Sequence, residues 1–287
     1  MKIRLLTLLL LAAFVFVAPA KAESFVFTAI PDEDDRQLRT RFDKVATYLS
    51  KALGVDVKFV PVKSYAAAVT AFRNNQVHVA GFGGLSGVRG RGTVAGSEAI
   101  AQGFEDRSFV TYFIAHHSTG LTQGEGFPDA IAGKTFTFGS KGSTSGRLMP
   151  EYFVRQHFGK SPDEVFERVG FSGDHSKTLA LVQSGSYQVG ALNYKVWERS
   201  LAEGIVDTSR VRVIWRTPTY PDYNWTIRAG VDERFGEGFS ERVQQALLEL
   251  DDRKLLDSFP RKRFIAADNS MYRPILETGR VPGVFRD

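Results

Sequence analysis

Phe25-Val26-Phe27-Thr28-Ala29-Ile30 is a short run of strand-formers closed by the turn sequence Pro31-Asp32-Glu33-Asp34, and the alternation it opens decides the fold. Leu38, Phe42, Val45, Ala46 and Leu49 recur at helical spacing, and Gly54 stands where such a helix ends. Residues 55–60 read as a second strand and residues 65–72 as a second helix closed by Asn74-Asn75. Residues 77–82 read as a third strand running into glycines. This βαβαβ order is the pattern of a parallel sheet covered by helices.

The pattern then changes. Residues 99–104 and 109–115 look extended with no long helix between them, as segments that cross between domains do. A second series begins at Lys134, with strands over 134–138, 166–171, 187–192 and 211–215 alternating with helices over 145–157, 176–182 and 194–202. Residues 225–228 read as the return crossing, and the chain from Phe239 onward is mainly helical with no sheet of its own. The expected organisation is α/β and two-lobed, each lobe a sheet flanked by helices. Residues 23–115 and 228–287 form the first lobe and residues 116–227 the second. Two lobes joined by two crossings make a hinged clamp whose cleft lies at the carboxyl ends of the strands. A single large α/β enzyme is the competing arrangement.

The N-terminus has the three parts of a secretory signal: basic Met1-Lys2-Ile3-Arg4, the apolar run 5–17, and small residues ending in Ala20-Lys21-Ala22. Residues 1–22 are therefore expected to be a signal peptide cleaved after Ala22, against the alternative of a retained anchor helix. The apolar run is shorter than the roughly 20 residues of a membrane span. The chain has no cysteine, which excludes disulfides, thiolate metal sites, a lipid-modified Cys and a cysteine nucleophile. A periplasmic or extracellular location is expected. Removing Lys2, Arg4 and Lys21 from the 37 basic residues leaves 34 against 32 acids, a formal charge of +2. The apparent basicity thus gives no support to nucleic-acid or membrane binding. The one basic Gly-rich stretch, Gly87-Val88-Arg89-Gly90-Arg91-Gly92, reads as a surface loop rather than an RNA-binding tract.

The stretch richest in chemistry is Phe138-Gly139-Ser140-Lys141-Gly142-Ser143-Thr144-Ser145-Gly146, placed between a strand and a helix. The first turn of a helix leaves backbone N–H groups unpaired and partially positive. Three hydroxyls at that point, Ser143, Thr144 and Ser145, add further donors to an anion site. An ordinary N-cap needs only one hydroxyl, and composition alone does not choose between the two readings.

The chain resembles the periplasmic phosphonate-binding family of ABC transporter subunits, which includes binders of phosphite and related oxyanions. The resemblance is carried by Val62-Lys63-Ser64-Tyr65-Ala66-Ala67-Ala68-Val69, by Ser143-Thr144-Ser145-Gly146, and by Phe171-Ser172-Gly173-Asp174-His175. Members labelled selenate-binding look most similar. The resemblance implies a type II-like periplasmic binding protein that catalyses nothing, needs no cofactor or metal, and works as a monomer. It also implies a small oxyanion and an inner-membrane permease as partners. It assigns the anion to the hydroxyls of Ser143, Thr144 and Ser145, to Tyr65 of the first lobe and to His175 of the second. Tyr65 as a core aromatic and His175 as a solvent-exposed helix start are the plainer readings. Gly84 and Ser86, in the glycine turn after the third strand, are expected to complete the cage.

The family's phosphonate binders carry acidic residues in the cleft. Here Asn193 replaces one, and Asp222 is placed to retain the other. Lys141 adds a positive charge beside the hydroxyls. A carboxylate repels a full dianion, so this balance favours an unprotonated tetrahedral anion such as selenate at least as much as an aminophosphonate. Two other functions compete on the same residues. One is a sensory oxyanion-binding subunit that signals to a membrane receptor, and the other is a secreted hydrolase using Ser143 or Ser145 with His175. Enzyme motifs are poor: Thr144 stands where a nucleophile elbow needs Ser, and Ser86 stands where a dinucleotide loop needs its third glycine. His116-His117 would diverge on a strand and make a poor metal pair, and His78 alternates with apolar neighbours as a structural residue does.

Overall fold

In the computed structural model, which describes residues 23–281, the opening alternation folds as a parallel sheet. β1 (Phe25–Ala29) lies between β2 (Val57–Phe59) and β3 (Val79–Phe82), connected through α1 (Asp35–Leu53) and α2 (Tyr65–Arg73). Asp34 starts α1 by accepting the Arg36 and Gln37 amides, and Gly54 ends it at φ 70°. Leu38, Phe42, Val45 and Leu49 bury that helix against Phe25 and Phe27. The signal-peptide expectation falls on residues outside the described range. No helix among the described residues is long and apolar enough to cross a membrane.

The chain continues through α3 (Gly84–Thr93) and β4 (Glu98–Gly103), then crosses to a second sheet. That sheet is built from β5 (Thr111–His116), β6 (Thr135–Phe138), β7 (Arg168–Phe171), β8 (Val189–Asn193) and β9 (Val211–Arg216). Its helices are α4 (Met149–Phe158), α5 (Pro162–Val165), α6 (His175–Gln183) and α7 (Tyr194–Ala202). The return supplies β10 (Asn224–Ile227), α8 (Val231–Phe235), α9 (Phe239–Leu248), α10 (Arg253–Ser258), β11 (Phe264–Ala266) and α11 (Arg273–Arg280). The first sheet runs β11-β4-β10-β3-β1-β2 and the second β7-β6-β8-β5-β9.

In each sheet the strand that arrives straight from the other lobe runs against its neighbours. β5 is antiparallel to β8 and β9, and β10 is antiparallel to β3 and β4. The lobe boundaries expected at 115/116 and 227/228 therefore shift, because β5 belongs to the second sheet and β10 to the first. The crossings are the shorter segments 104–110 and 217–223. They pair with each other: Phe109 N–H donates to Tyr220 O at 2.9 Å and Tyr220 N–H to Phe109 O at 3.0 Å. This two-strand bridge is the hinge. Local patterning marks residues as extended but says nothing of which strand they join, and that is why the boundaries move.

Two further expectations change. Residues 87–92 are not a surface loop but the middle of α3. A Cβ at Gly87 would stand 2.7 Å from Asn224 Oδ1, and one at Gly90 would stand 2.8 Å from Phe82 Cε2. The glycines are there so that the helix can lie against the sheet, and Arg91 reaches back to Asn224 Oδ1 at 3.1 Å and Thr226 Oγ1 at 2.7 Å. The C-terminal part does contribute a strand, since β11 pairs with β4 at the sheet edge. Phe239, Val243, Leu247, Leu255 and Leu256 pack beneath the first sheet. Between the lobes, Leu85, Leu148, Met149 and Ile275 close an apolar contact around Phe109 and Tyr220.

Candidate anion-binding site

The helix after β6 begins with a π-helical turn, residues Thr144–Leu148, which runs directly into α4. Leu148 N–H reaches back five residues to Ser143 O at 3.0 Å. Such widened turns recur at functional sites. The Thr144 and Ser145 N–H groups, in the first turn, have no carbonyl partners within the helix.

The three hydroxyls, all buried, have three different settings. Ser143 Oγ caps the turn by accepting Gly146 N–H at 2.9 Å. It also lies within hydrogen-bonding reach of the Tyr65 hydroxyl, which comes from the first lobe at the start of α2. Thr144 Oγ1 accepts the Leu85 N–H of the first lobe at 3.0 Å, which ties the lobes together, and its hydroxyl lies close to the Asp222 carboxyl. Ser145 Oγ sits 3.5 Å from His175 Nε2 and beside the Tyr220 hydroxyl. The Tyr220 hydroxyl in turn donates to Thr111 Oγ1 at 2.6 Å, leaving the threonine proton for Ser145 O at 2.8 Å.

His175 opens α6 and is 1% exposed. Burial lowers its pKa below 6.5, so the ring is neutral at physiological pH. Nδ1 accepts the Asn193 N–H at 3.3 Å, which places the single proton on Nε2, toward Ser145. The imidazole is a fixed donor on the same side as the serine hydroxyls. It cannot take a proton from Ser145 at that nitrogen, as a hydrolytic base must.

Asp222, in the return crossing, faces these donors from the hinge. Its Oδ1 accepts Gly84 N–H at 2.8 Å, while Oδ2 is buried with no hydrogen-bond partner. Burial pushes its carboxyl up to about 7, against the lowering effect of Gly84 N–H and the Thr144 hydroxyl. Asp222 is thus poised to hold a proton in the neutral range. Tyr65 is likewise pushed well up by burial and by Asp32, and stays a neutral hydroxyl.

The remaining expected residues are placed differently. Gly84 supplies its N–H to Asp222, and a Cβ there would stand 3.1 Å from Pro221 O, so a glycine fits the narrow gap. Ser86 Oγ accepts Gly83 N–H at 3.0 Å and donates to Gly83 O at 3.2 Å, which commits it to the start of α3. Asn193 Oδ1 caps α7 by accepting Lys195 N–H at 2.7 Å, and its Nδ2 donates to the Tyr223 hydroxyl at 2.9 Å. Lys141 is exposed and lies over the Phe171 ring, 4.9 Å from its centroid, outside the cradle. It adds no charge within the site, because the loop tip turns its side chain outward onto that ring.

Sequence reasoning missed Asp32, Tyr220 and Tyr223. Tyr223 donates to Asp32 Oδ2 at 2.7 Å and so fixes the group that Asn193 contacts. Asp32 lies just after β1, at the carboxyl end of the first sheet, where open α/β sheets place ligands. That position was the available signal. A separate cavity of about 60 Å³, lined by Asp32, Arg41, Asn193, Tyr223 and Arg261 among others, lies beside this cluster and does not include the hydroxyl triplet. Among the described residues no group of three or more His, Asp and Glu could hold a metal ion. The hydroxyls, the amides and the Nε2–H opposite one protonatable carboxyl suit a small tetrahedral oxyanion.

Comparison with known proteins agrees with this chemistry. Residues 27–272 match the family model described as an ABC transporter phosphonate periplasmic substrate-binding protein. A "Probable ABC transporter phosphite binding protein" of Prochlorococcus marinus is 41% identical over 259 residues, covering 88% of this chain and 87% of that protein. A solved structure of the Prochlorococcus protein in complex with methylphosphonate superposes with a TM-score of 0.87 at 39% identity, covering 91% of this chain and 99% of that one. The binding component of an ABC phosphonate transporter from Pseudomonas aeruginosa shares the fold at 20% identity, with a TM-score of 0.79 over 90% of this chain and 86% of its own.

Proposed function

Because the chain belongs to the family of periplasmic substrate-binding proteins of phosphonate ABC transporters, we propose that it captures a phosphite or small phosphonate between its lobes and presents it to an inner-membrane permease. Family membership makes it a transport component, not an enzyme. The N-terminal sequence supports export to the periplasm, and we read the exported protein as a monomer.

The observation that carries the ligand class is the unpartnered, buried Asp222 Oδ2 beside Thr144, the middle residue of the hydroxyl run whose Ser145 neighbours His175 Nε2–H. An ionised carboxylate against an oxyanion leaves two acceptors facing each other, which costs free energy. One proton shared between them removes that conflict. Phosphite and phosphonates carry an exchangeable proton near neutrality, and selenate and sulfate do not. Of the two residues read as favouring an unprotonated dianion, Lys141 lies over the Phe171 ring and Asn193 caps α7, while the acid expected at Asp222 is present and buried. The single proton on His175 Nε2, with a backbone amide rather than a carboxylate at Nδ1, argues against the hydrolase reading.

The test is calorimetric titration at pH 7 with phosphite, methylphosphonate, aminoethylphosphonate, sulfate and selenate. Phosphite and methylphosphonate are expected to bind at least tenfold more tightly than either of the last two. A preference for selenate or sulfate, or no binding by any of the five, would overturn the proposal.

A further inference from the structure

The turn after β1 carries two acidic residues that the cradle does not use, and the second lobe grips both. Asp32 O accepts the His175 N–H at 3.0 Å, and Asp32 Oδ2 is reached from Asn193 through the Tyr223 hydroxyl. Glu33, 5% exposed, pairs within its own lobe with Arg41 at 3.1 Å. Across the cleft it meets Arg199 of α7, with one contact at 3.3 Å and a closer one through the other guanidinium nitrogen. Arg199 also has a partner in its own lobe, Glu203, one helical turn on at 3.8 Å.

We propose that Glu33 and Arg199 form a closure latch that sets ligand affinity without touching the ligand. Each has a companion in its own lobe, Arg41 for Glu33 and Glu203 for Arg199, so opening the hinge strands neither charge. Closing adds one cross-lobe pair in a largely buried setting, where screening is weak and a well-placed pair counts for more than at the surface. The latch also bears on the site directly. The amide that Asp32 holds belongs to His175, and the Asn193 whose N–H fixes the His175 tautomer is tied through Tyr223 to the same turn. Closing the latch therefore orients the donor the anion meets. The consequence is mainly kinetic: the latch stabilises the closed state and not the open one that the anion enters, so it slows release far more than it changes capture.

The inference rests on the two-lobed capture proposed above, and Arg199→Gln tests it, since that variant leaves the Glu33–Arg41 pair intact. Stopped-flow tryptophan fluorescence with phosphite should show dissociation faster by roughly tenfold to a hundredfold, with the association rate within about threefold of wild type. Glu33→Gln should speed dissociation at least as much, since it also takes the partner from Arg41. The double variant should dissociate no faster than Glu33→Gln alone, because Arg199 then has no cross-lobe pair left to lose. A ligand-free readout separates this from the ligand assignment. The chain has no cysteine, so Lys44→Cys and Lys160→Cys, exposed positions on opposite lobes, accept spin labels specifically. Distance distributions without phosphite should show a smaller closed population in Arg199→Gln than in wild type. An unchanged dissociation rate or an unchanged closed population overturns the latch, as does a loss of affinity matched by a fall in melting temperature. Failure of wild type to bind phosphite overturns the ligand assignment and leaves the distance measurement to decide the latch.

Discussion

Gly142, at the tip of the loop before the hydroxyl triplet, approaches Tyr65 of the opposite lobe so closely that a Cβ on residue 142 would stand 2.8 Å from the tyrosine Cβ. Backbone and side chain meet here across the cleft, and the contact exists only when the lobes are together. Gly142→Ala is therefore expected to weaken phosphite binding by about tenfold or more while leaving the melting temperature of the ligand-free protein within a degree or so. The methyl group obstructs closure, since its nearest neighbours all belong to Tyr65 of the other lobe. Parallel titration and thermal melts check this, and equal losses in both would show that the glycine serves the fold of its own loop.

His175 gives a second expectation. Its Nε2–H is held toward the site by the Asn193 amide on Nδ1, and its pKa lies below the ordinary value because it is buried. Replacing it by Ala removes one donor to a charged group, a loss of about 1.5–3 kcal/mol, or roughly tenfold to a hundredfold in affinity. Since the ring is already neutral, the ratio of wild-type to His175→Ala affinity should stay constant as pH falls through 6.5, because titration of Asp222 or of the ligand affects both proteins alike. Titrations from pH 7.5 to 5.5 report both. A ratio that grows on acidification through that range would mean the ring binds as a cation.

Asp222 predicts the opposite kind of pH dependence. With its pKa pushed up to about 7, it is largely protonated below that pH and loses its proton above it. For selenate, which brings no proton, any residual binding should fall about tenfold per pH unit above 7 as the carboxyl ionises. Asp222→Asn keeps a donor at every pH, so its selenate affinity should be flat from pH 6 to 9 and exceed wild type at pH 9. Folding moves the same way. A raised pKa means the folded state keeps its proton longer than the unfolded one, so stability is lost as pH climbs from the unfolded value, about 4, through 7. The Asn variant should melt higher than wild type at pH 8 and gain less at pH 5. Identical melting differences at both values would remove Asp222 from the titration.

Much of this was legible in the chain because strands and helices are local. Residues 194–202 form the helix their spacing demands, and the hydroxyls at 143–145 open a helix as their run implies. Pairing is not local. Nothing within residues 111–116 says that they join β8 and β9 rather than β4, and nothing within 87–92 says that Phe82 and Asn224 wait beneath the glycines. Side-chain commitments were equally hidden. Asn193 is a cap before it is anything else, and Lys141 has a ring to lie on. The roles of Asp32 and Tyr223 depend on a hinge that brings positions about 190 residues apart within one hydrogen bond.

His78 is the structural histidine its alternating neighbours suggested, and it fixes how the fold responds to acid. The ring stacks on Phe25 at 5.3 Å between centroids, and its Nδ1 accepts the Val26 N–H at 2.9 Å. Burial, with Arg234 and Arg228 nearby, lowers its pKa to about 4 in spite of Glu23. The unfolded chain takes up a proton near 6.5, and the folded one does not until about 4. Stability is therefore lost progressively as pH falls from 6.5 to 4, by up to about 3 kcal/mol from this group, and levels off below. His175, also lowered by burial, adds a loss of the same sign as pH falls below 6.5. His78→Asn retains a nearby acceptor for Val26 and cannot titrate. The variant should start less stable at pH 7.5, having lost the ring stack, and lose visibly less between pH 6.5 and 4.5 in urea melts. Parallel curves for wild type and variant would mean that the Val26 hydrogen bond survives protonation, and that the acid sensitivity of the first lobe lies elsewhere.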